Sequence, residues 1–131
     1  MKLLLDTHIW VWSQLEPERL SGKVRRALTS QRNDLWISAV TVWEFVVLVD
    51  RGRIVLDTDL DTWLTNVAER APTREAPLTH EIARTTREVV LAHRDPVDRF
   101  LAATARVLDL TLVTGDRNLI EGHGYKVLAN G

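Results

Sequence analysis

The sequence predicts an α/β protein whose central, mostly parallel sheet is covered by helices on both faces. Short apolar runs alternate with segments of helical periodicity throughout the 131 residues, which is typical of βαβ units. These runs are apolar at every position, and this indicates strands that are buried on both faces. Because no repeat or linker interrupts the pattern, we expect a single domain over residues 1–131.

The candidate strands are short apolar runs that end next to polar residues. The first, Leu3–Leu5, ends at Asp6. In open α/β sheets, ligands bind outside the carboxyl ends of the strands, so such polar residues are candidates for a functional site. The other candidate strands are Leu35–Ile37, Leu110–Val113 and Lys126–Leu128, with a weaker one near Glu75 and Ala76.

Helix starts are marked by capping residues. Ser38 predicts a helix over Ala39–Asp50 that Gly52 ends, and Asp95 followed by Pro96 predicts another that runs to about Leu108. The remaining predicted helices run from Ser21 to about Ser30, across the apolar stripe from Leu60 to Ala68, and from Thr79 through Ile82, Ala83, Thr86, Val89 and Val90.

Composition excludes several classes of protein. A net charge of −1 is not that of a generic basic nucleic-acid binder. The absence of cysteine excludes a disulfide framework and a cysteine-ligated zinc site, and it suits a reducing cytosol. Asp6 interrupts the first apolar run too early for a signal peptide, and no run is long enough to cross a membrane. We therefore expect a cytoplasmic protein that does not contact membranes.

Four acids occupy positions where parallel strands would bring them together. Asp6 follows the first strand, and Asp116 follows the Leu110–Val113 strand by a Thr-Gly step. Asp98 lies in the first turn of its helix, and Glu44 lies in the second turn of its own. Each position also has an ordinary structural explanation: Asp6 and Asp116 could cap helices, and Asp98 has capping-box spacing.

Glu44 favours the functional interpretation. It is the only charged residue between Ala39 and Val49, in a helix that is apolar nearly all round. A carboxylate in such surroundings is costly unless it is paired or bound to a cation. No lysine or arginine lies one turn away on this helix, so we expect the cation to come from elsewhere. Oxygen ligands without cysteine favour Mg²⁺, or Mn²⁺, over zinc.

Four short blocks resemble the motifs of PIN domains, and in particular those of VapC ribonuclease toxins from bacterial toxin–antitoxin pairs. They occur in the order of the family and span nearly the whole chain. The blocks are Leu3-Leu4-Leu5-Asp6-Thr7-His8, Ser38-Ala39-Val40-x-x-Trp43-Glu44, His93-Arg94-Asp95-Pro96-x-Asp98-Arg99-x-x-Ala102-x-x-Ala105 and Leu112-Val113-Thr114-x-Asp116.

The resemblance implies a three-layer α/β/α fold with a sheet of about five strands, and an endoribonuclease that depends on Mg²⁺ or Mn²⁺. It makes four residues the catalytic and metal-binding acids, namely Asp6, Glu44, Asp98 and Asp116. Thr114 and Asp95 would support the site. The implied partner is a VapB-type antitoxin. Leu48 stands where many relatives carry a lysine, which leaves a metal as the neutraliser of Glu44.

Two further sets of residues have predicted contacts. Arg99 and Arg117 adjoin proposed catalytic acids, and we expect them to bind RNA phosphates or to form salt bridges. Trp10, Trp12 and Trp43, together with residues 45–49, exceed what one helix face can bury. They therefore predict an antitoxin groove, a homodimer interface, or both, unless neighbouring helices cover them.

Other functions compete with the toxin. One is a PIN nuclease that processes RNA outside a toxin–antitoxin pair. Another is a phosphatase of the haloacid-dehalogenase type, since Asp6 ends a strand and Gly115-Asp116 is similar to the late motif of that family. However, His8 stands where these phosphatases need a second aspartate. A third is a non-enzymatic interaction module, which the presence of all four acids disfavours.

Overall fold

The computed structural model describes residues 1–131 and contains one sheet of five parallel strands in the order β3-β2-β1-β4-β5. Every strand predicted from the sequence is confirmed, including the weak one near Glu75. The first strand lies at the centre, where it pairs with both β2 and β4. The strands are β1 (Lys2–Leu5), β2 (Asp34–Ser38), β3 (Arg74–Ala76), β4 (Thr111–Thr114) and β5 (Lys126–Ala129).

Seven helices connect the strands, and four of them begin at a helix start predicted from the sequence. Ser21, Ser38, Thr79 and Asp95 each accept a hydrogen bond from a backbone N–H in the first turn of the following helix. A 3-10 turn, Pro17–Arg19, follows the first helix. The helices are α1 (Thr7–Leu15), α2 (Gly22–Thr29), α3 (Ala39–Asp50), α4 (Leu60–Arg70), α5 (His80–Thr85), α6 (Pro96–Val107) and α7 (Arg117–Ile120).

The helix predicted from Thr79 through Val90 is wrong in its length, because α5 ends at Thr85. The carbonyl of Thr86 accepts a hydrogen bond from the Arg99 guanidinium at 2.9 Å, where a helix would use the N–H of Val90. Val90 instead exchanges two backbone hydrogen bonds of 3.0 Å with His123. The guanidinium and this bridge take the groups that would have extended the helix.

The core has one cluster on each face of the sheet, which gives the three layers. Leu3 and Leu5 of β1 point into a cluster with Phe45 of α3, while Leu4 points into a cluster with Leu101 of α6. This division follows from the alternation of side chains along a strand. No helix of the structure combines the length and apolar character needed to cross a bilayer.

The predicted apolar surface of α1 and α3 is smaller than the sequence suggests. Trp10 and Phe45 are buried, because Trp10 packs edge to face against Phe45 and against Trp63 of α4, and Phe45 stacks on Trp63. Trp12 is half-buried. Only Trp43 leaves a large aromatic side chain in solvent, with 59% of its surface exposed. A neighbouring helix therefore covers most of this aromatic set.

Candidate active site

The parallel sheet places Asp6 beside the end of β4. Leu5 and Val113 are register partners, and the backbone N–H of Asp6 donates to the carbonyl of Val113 at 3.0 Å. Both carboxylate oxygens of Asp6 accept hydrogen bonds of 2.7 Å, one from the backbone N–H of Thr7 and one from the hydroxyl of Thr114. Asp6 therefore caps α1 and is also fixed to β4.

Asp98 and Asp116 share a donor that the sequence analysis did not single out. The side-chain amide of Asn118 donates to Asp98 at 2.9 Å, and the backbone N–H of Asn118 donates to the Asp116 side chain at 2.9 Å. The same asparagine also exchanges hydrogen bonds of 2.9 and 3.1 Å with the backbone of His93. It thus joins α6, α7 and the segment before α6. Its position two residues after Asp116 was the only signal in the sequence.

Glu44 approaches the same edge from α3, on the other side of Asp6. The hydroxyl of Thr7 donates to one oxygen of Glu44 at 2.5 Å, and no lysine or arginine pairs with this carboxylate. The sequence favours a cation as the neutraliser of Glu44 and gives no sign of this threonine. The half-buried position of Glu44 gives it partial access to water in addition.

The acids raise one another's pKa values. Burial is the main cause for Asp6, Glu44 and Asp98, and it raises the pKa of Asp98 to about 7. The charges of Asp116, Asp95 and Asp6 add to the rise at Asp98, and the charge of Asp6 adds to the rise at Glu44. Such mutual effects mean that the acids share one electrostatic environment. We call Asp6, Glu44, Asp98 and Asp116 the acid edge.

The acid edge matches a hydrated divalent cation in its chemistry. All four ligand candidates are carboxylates, and one oxygen each of Glu44, Asp98 and Asp116 accepts no hydrogen bond within the protein. No three acidic or histidine side chains converge closely enough to form a ready-made cage. Mg²⁺ keeps several waters and needs only one or two direct carboxylates, so this looser arrangement fits it.

The other predicted site residues have local partners. Asp95 is exposed and caps α6 through the backbone N–H groups of Val97 and Asp98. Arg99 donates to the carbonyl of Thr86, and its side chain is half-buried. Arg117 pairs with Glu121 at 2.8 Å, and 87% of its side chain is exposed. Of the two arginines, Arg117 is the one that a substrate can reach freely.

The fold and the acid edge define a class of protein. The family model for the PIN domain matches residues 3–122, and the chain therefore belongs to the PIN-domain family. Within that family, it is 33% identical to Ribonuclease VapC22 of Mycobacterium tuberculosis over 118 residues, which are 89% of this chain and 88% of that protein. Membership of this family favours nuclease chemistry over the phosphatase alternative.

Solved structures share the fold over nearly the whole chain. A crystal structure of VapBC2 from Rickettsia felis bound to a DNA fragment from their promoter has a TM-score of 0.73 at 14% identity, with 98% of each chain covered. The crystal structure of FitAcB from Neisseria gonorrhoeae has a TM-score of 0.67 at 24% identity, covering 98% of this chain and 97% of the other.

Proposed function

We propose that the protein is a metal-dependent endoribonuclease that hydrolyses phosphodiester bonds in RNA. The observation that carries this proposal is that Asp6, Glu44, Asp98 and Asp116 lie at one edge of the sheet, near enough for their charges to influence one another, although they come from four separate stretches of chain. The family supports it, as does the relative of 33% identity that is named a ribonuclease.

The acid edge would hold Mg²⁺, or Mn²⁺, through these carboxylates. A bound ion supplies an activated water for in-line attack on phosphorus and stabilises the charge on the phosphate and the leaving oxygen. Thr114 and Asn118 supply neutral hydrogen-bond donors that orient Asp6 and Asp98 without cancelling their charge. Asp95 orients the first turn of α6, which carries Asp98.

RNA binding also requires cationic side chains near the acid edge, since four carboxylates repel its phosphates. Arg117 is placed to assist, because it directly follows Asp116 and most of its side chain is exposed. Arg99 is less available, because its side chain is half-buried and its guanidinium donates to the carbonyl of Thr86. We therefore assign phosphate binding to Arg117, and to Arg99 a role in holding α6 against the end of α5.

The biological role proposed is that of a toxin in a toxin–antitoxin pair, held inactive in the cytoplasm by a VapB-type antitoxin. The support comes from the relative named VapC22 and from structural neighbours solved as VapBC complexes. We further propose that residues 1–131 act as one domain. A homodimer would bury the exposed ring of Trp43 together with Val46 and Val47, which lie three and four residues further along α3.

The test of the chemistry is RNA cleavage by the purified chain. Cleavage should require Mg²⁺ or Mn²⁺ and stop with EDTA. Asp6→Asn should reduce the cleavage rate by more than about 100-fold. This exceeds the usual effect of losing a residue that only hydrogen-bonds to a metal ligand. Asp34→Asn is the matched control, because Asp34 is exposed and begins β2 at the opposite edge of the sheet. Equal rates for the two folded variants would reject the proposal.

The test of the biological role is expression in a bacterial host. A toxin should arrest growth, Asp6→Asn should not, and co-expression of a VapB-type antitoxin should restore growth by binding the chain. If the chain cleaves RNA without arresting growth, the alternative of a PIN nuclease in RNA processing is favoured instead.

A further inference from the structure

Three side chains form a continuous row that begins beside the acid edge. His8 lies two residues after Asp6 and is exposed at the start of α1. Its ring centroid lies 5.6 Å from that of Trp12, one turn further along the helix, with 50° between the planes. The guanidinium carbon of Arg19 lies 4.3 Å from the centroid of the Trp12 ring. We call His8, Trp12 and Arg19 the stacking row.

The chain holds Arg19 in this place by several contacts. Arg19 ends the 3-10 turn that Pro17 begins, and its guanidinium pairs with Glu16 at 3.2 Å. The carbonyl of Arg19 accepts a hydrogen bond of 3.1 Å from the side-chain amide of Asn130. The backbone N–H of Asn130 donates in turn to the carbonyl of Thr114 at 2.8 Å. The row is therefore fixed to the strand that supports Asp6.

The exposed surface of the row is built from flat side-chain groups. Arg19 lies over the Trp12 ring, and 55% of its side chain is exposed. Glu16 takes a hydrogen bond from one edge of the guanidinium and offsets its charge. What remains available is the outer face of the guanidinium and the exposed His8 ring, which is tilted by 50° from the Trp12 ring. Unpaired bases stack on aromatic rings and on guanidinium planes of this kind.

We infer that the stacking row binds one unpaired RNA base close to the phosphate that is cut. The inference rests on the proposed function, because it is the acid edge that would place the scissile phosphate next to His8. An RNA strand that crosses the acid edge along α1 meets His8 first and Arg19 last. The row would thus select single-stranded segments over duplex, whose bases are already stacked and paired.

The row also explains why stacking is favoured over simple attraction to phosphate. The guanidinium of Arg19 already lies over the Trp12 ring, so its plane is in position to stack. Stacking uses the plane and needs less of the charge. Replacement by lysine separates the two roles, because lysine keeps the charge and loses the plane.

The experiment is a binding cycle between RNA and protein variants, measured by fluorescence anisotropy with Ca²⁺ in place of Mg²⁺, so that a divalent ion can occupy the acid edge with cleavage slowed. A single abasic nucleotide is moved along a short RNA of defined sequence. When the abasic nucleotide stands at the position that contacts the stacking row, the missing base should weaken binding to the unaltered chain about tenfold, the usual contribution of one stacked base. The same abasic RNA should bind Arg19→Gln, Arg19→Lys and His8→Ala no more weakly than intact RNA does.

Arg32→Gln is the matched control, because Arg32 is exposed and its side chain pairs with no acid. Melting temperatures should establish that each variant is folded. Trp12 is left unchanged, since it also packs against the core.

The outcomes separate this inference from the proposed function. An abasic penalty that is lost in the Arg19 and His8 variants but kept in Arg32→Gln supports the stacking row. A penalty that is equal in all variants, or absent throughout, overturns it even where Mg²⁺-dependent cleavage is observed. Loss of antitoxin binding in Arg19→Lys without any change in the abasic penalty would assign the row to a protein partner, and this too overturns the inference. A chain that neither binds nor cuts RNA rejects both.

Discussion

The two sides of the acid edge hold their carboxylates in different ways. On the side of α6 and α7, Asn118 contacts Asp98, Asp116 and the backbone of His93, so the acids are linked by one fully used side chain. On the side of α3, Glu44 has a single partner, the hydroxyl of Thr7. One side is cross-linked by hydrogen bonds, and the other depends on one contact.

This difference indicates a division of labour. Asp98 and Asp116 are fixed by groups from separate elements, so they can present oxygens at constant positions. Glu44 has a longer side chain and partial access to water, so it can adjust when an ion or a phosphate enters. The predictions below test this contrast, beginning with the strongest expected effect.

Removal of the shared donor should have the largest effect. Asn118→Ala should weaken Mn²⁺ binding and RNA cleavage by about 10- to 100-fold, the usual cost of an outer partner at a metal site. It should also raise the pKa of Asp98 in the metal-free protein, because the hydrogen bond from Asn118 lowers that pKa. Calorimetry and NMR titration measure the two effects. Asn66→Ala is the control, because Asn66 is exposed on α4; an equal loss there would refute the assignment.

A change in the packing around Gly122, behind α7, should have the next largest effect, and this effect is on stability. An added Cβ at Gly122 would lie 2.8 Å from the carbonyl oxygen of Val90 and would overlap the hydroxyl of Tyr125. Gly122→Ala should therefore cost about 1–3 kcal/mol of unfolding free energy, the usual range for overpacking. Gly115→Ala is the control, since its nearest contact would be an ordinary 3.7 Å. Urea titration compares them, and two equal midpoints would contradict the prediction.

The raised pKa of Asp98 predicts a pH dependence of stability in the metal-free protein. In the folded state the pKa of Asp98 is about 7, so its carboxyl keeps the proton to that pH, whereas in the unfolded chain it has the ordinary aspartate pKa of 3.8. The stabilisation is therefore complete below that lower value and is lost as pH rises to about 7. The raised pKa values of Asp6 and Glu44 act in the same direction.

It follows that Asp98→Asn should raise the melting temperature of the metal-free protein at about pH 8 and change it little at about pH 4. Asp50→Asn is the control, because Asp50 is exposed at the end of α3 and lies outside the acid edge. Thermal melts in EDTA at the two pH values measure the difference. A gain of the same size at both would show that charge at Asp98 is not the cause.

Removal of the single hydrogen bond to Glu44, on the α3 side of the acid edge, should have the smallest effect on Mn²⁺ affinity. Thr7→Val removes the hydroxyl that donates to Glu44 but keeps the shape of the side chain and the backbone N–H that donates to Asp6. Because Glu44 can replace this partner with water, we expect Mn²⁺ affinity to fall less than about fivefold, close to the value of one modest hydrogen bond. A loss as large as that of Asn118→Ala would remove the contrast between the two sides.

Much of the fold could be predicted because most strands contain a short apolar run with a marked end, although β3 does not. Leu3–Leu5 followed by Asp6 is such a case, and the parallel sheet confirms it. The length of α5 could not be predicted, since it depends on the Arg99 guanidinium and on the bridge between Val90 and His123. Contacts between distant residues leave no periodic trace in a sequence.

Contacts between distant residues also limit how much of the candidate site can be predicted from the sequence. The four acids stand next to strand ends and helix starts, where local rules find them. Thr114, which the family resemblance names as a supporting residue, does donate to Asp6. The donors Asn118 and Thr7 were missed, because nothing near them in the sequence indicates which carboxylate each will contact. The apolar surface was overestimated for a similar reason, since Trp63 of α4 covers Trp10 and Phe45.

The hydrogen bond between Thr114 and Asp6 joins residues 108 positions apart. The central strand β1 is synthesised before both of its neighbours, β2 and β4. Until β4 has been made, Asp6 has neither this partner nor Asp116 beside it. For a protein that would cut RNA, this order of strands leaves the acid edge incomplete until β4 has joined the sheet.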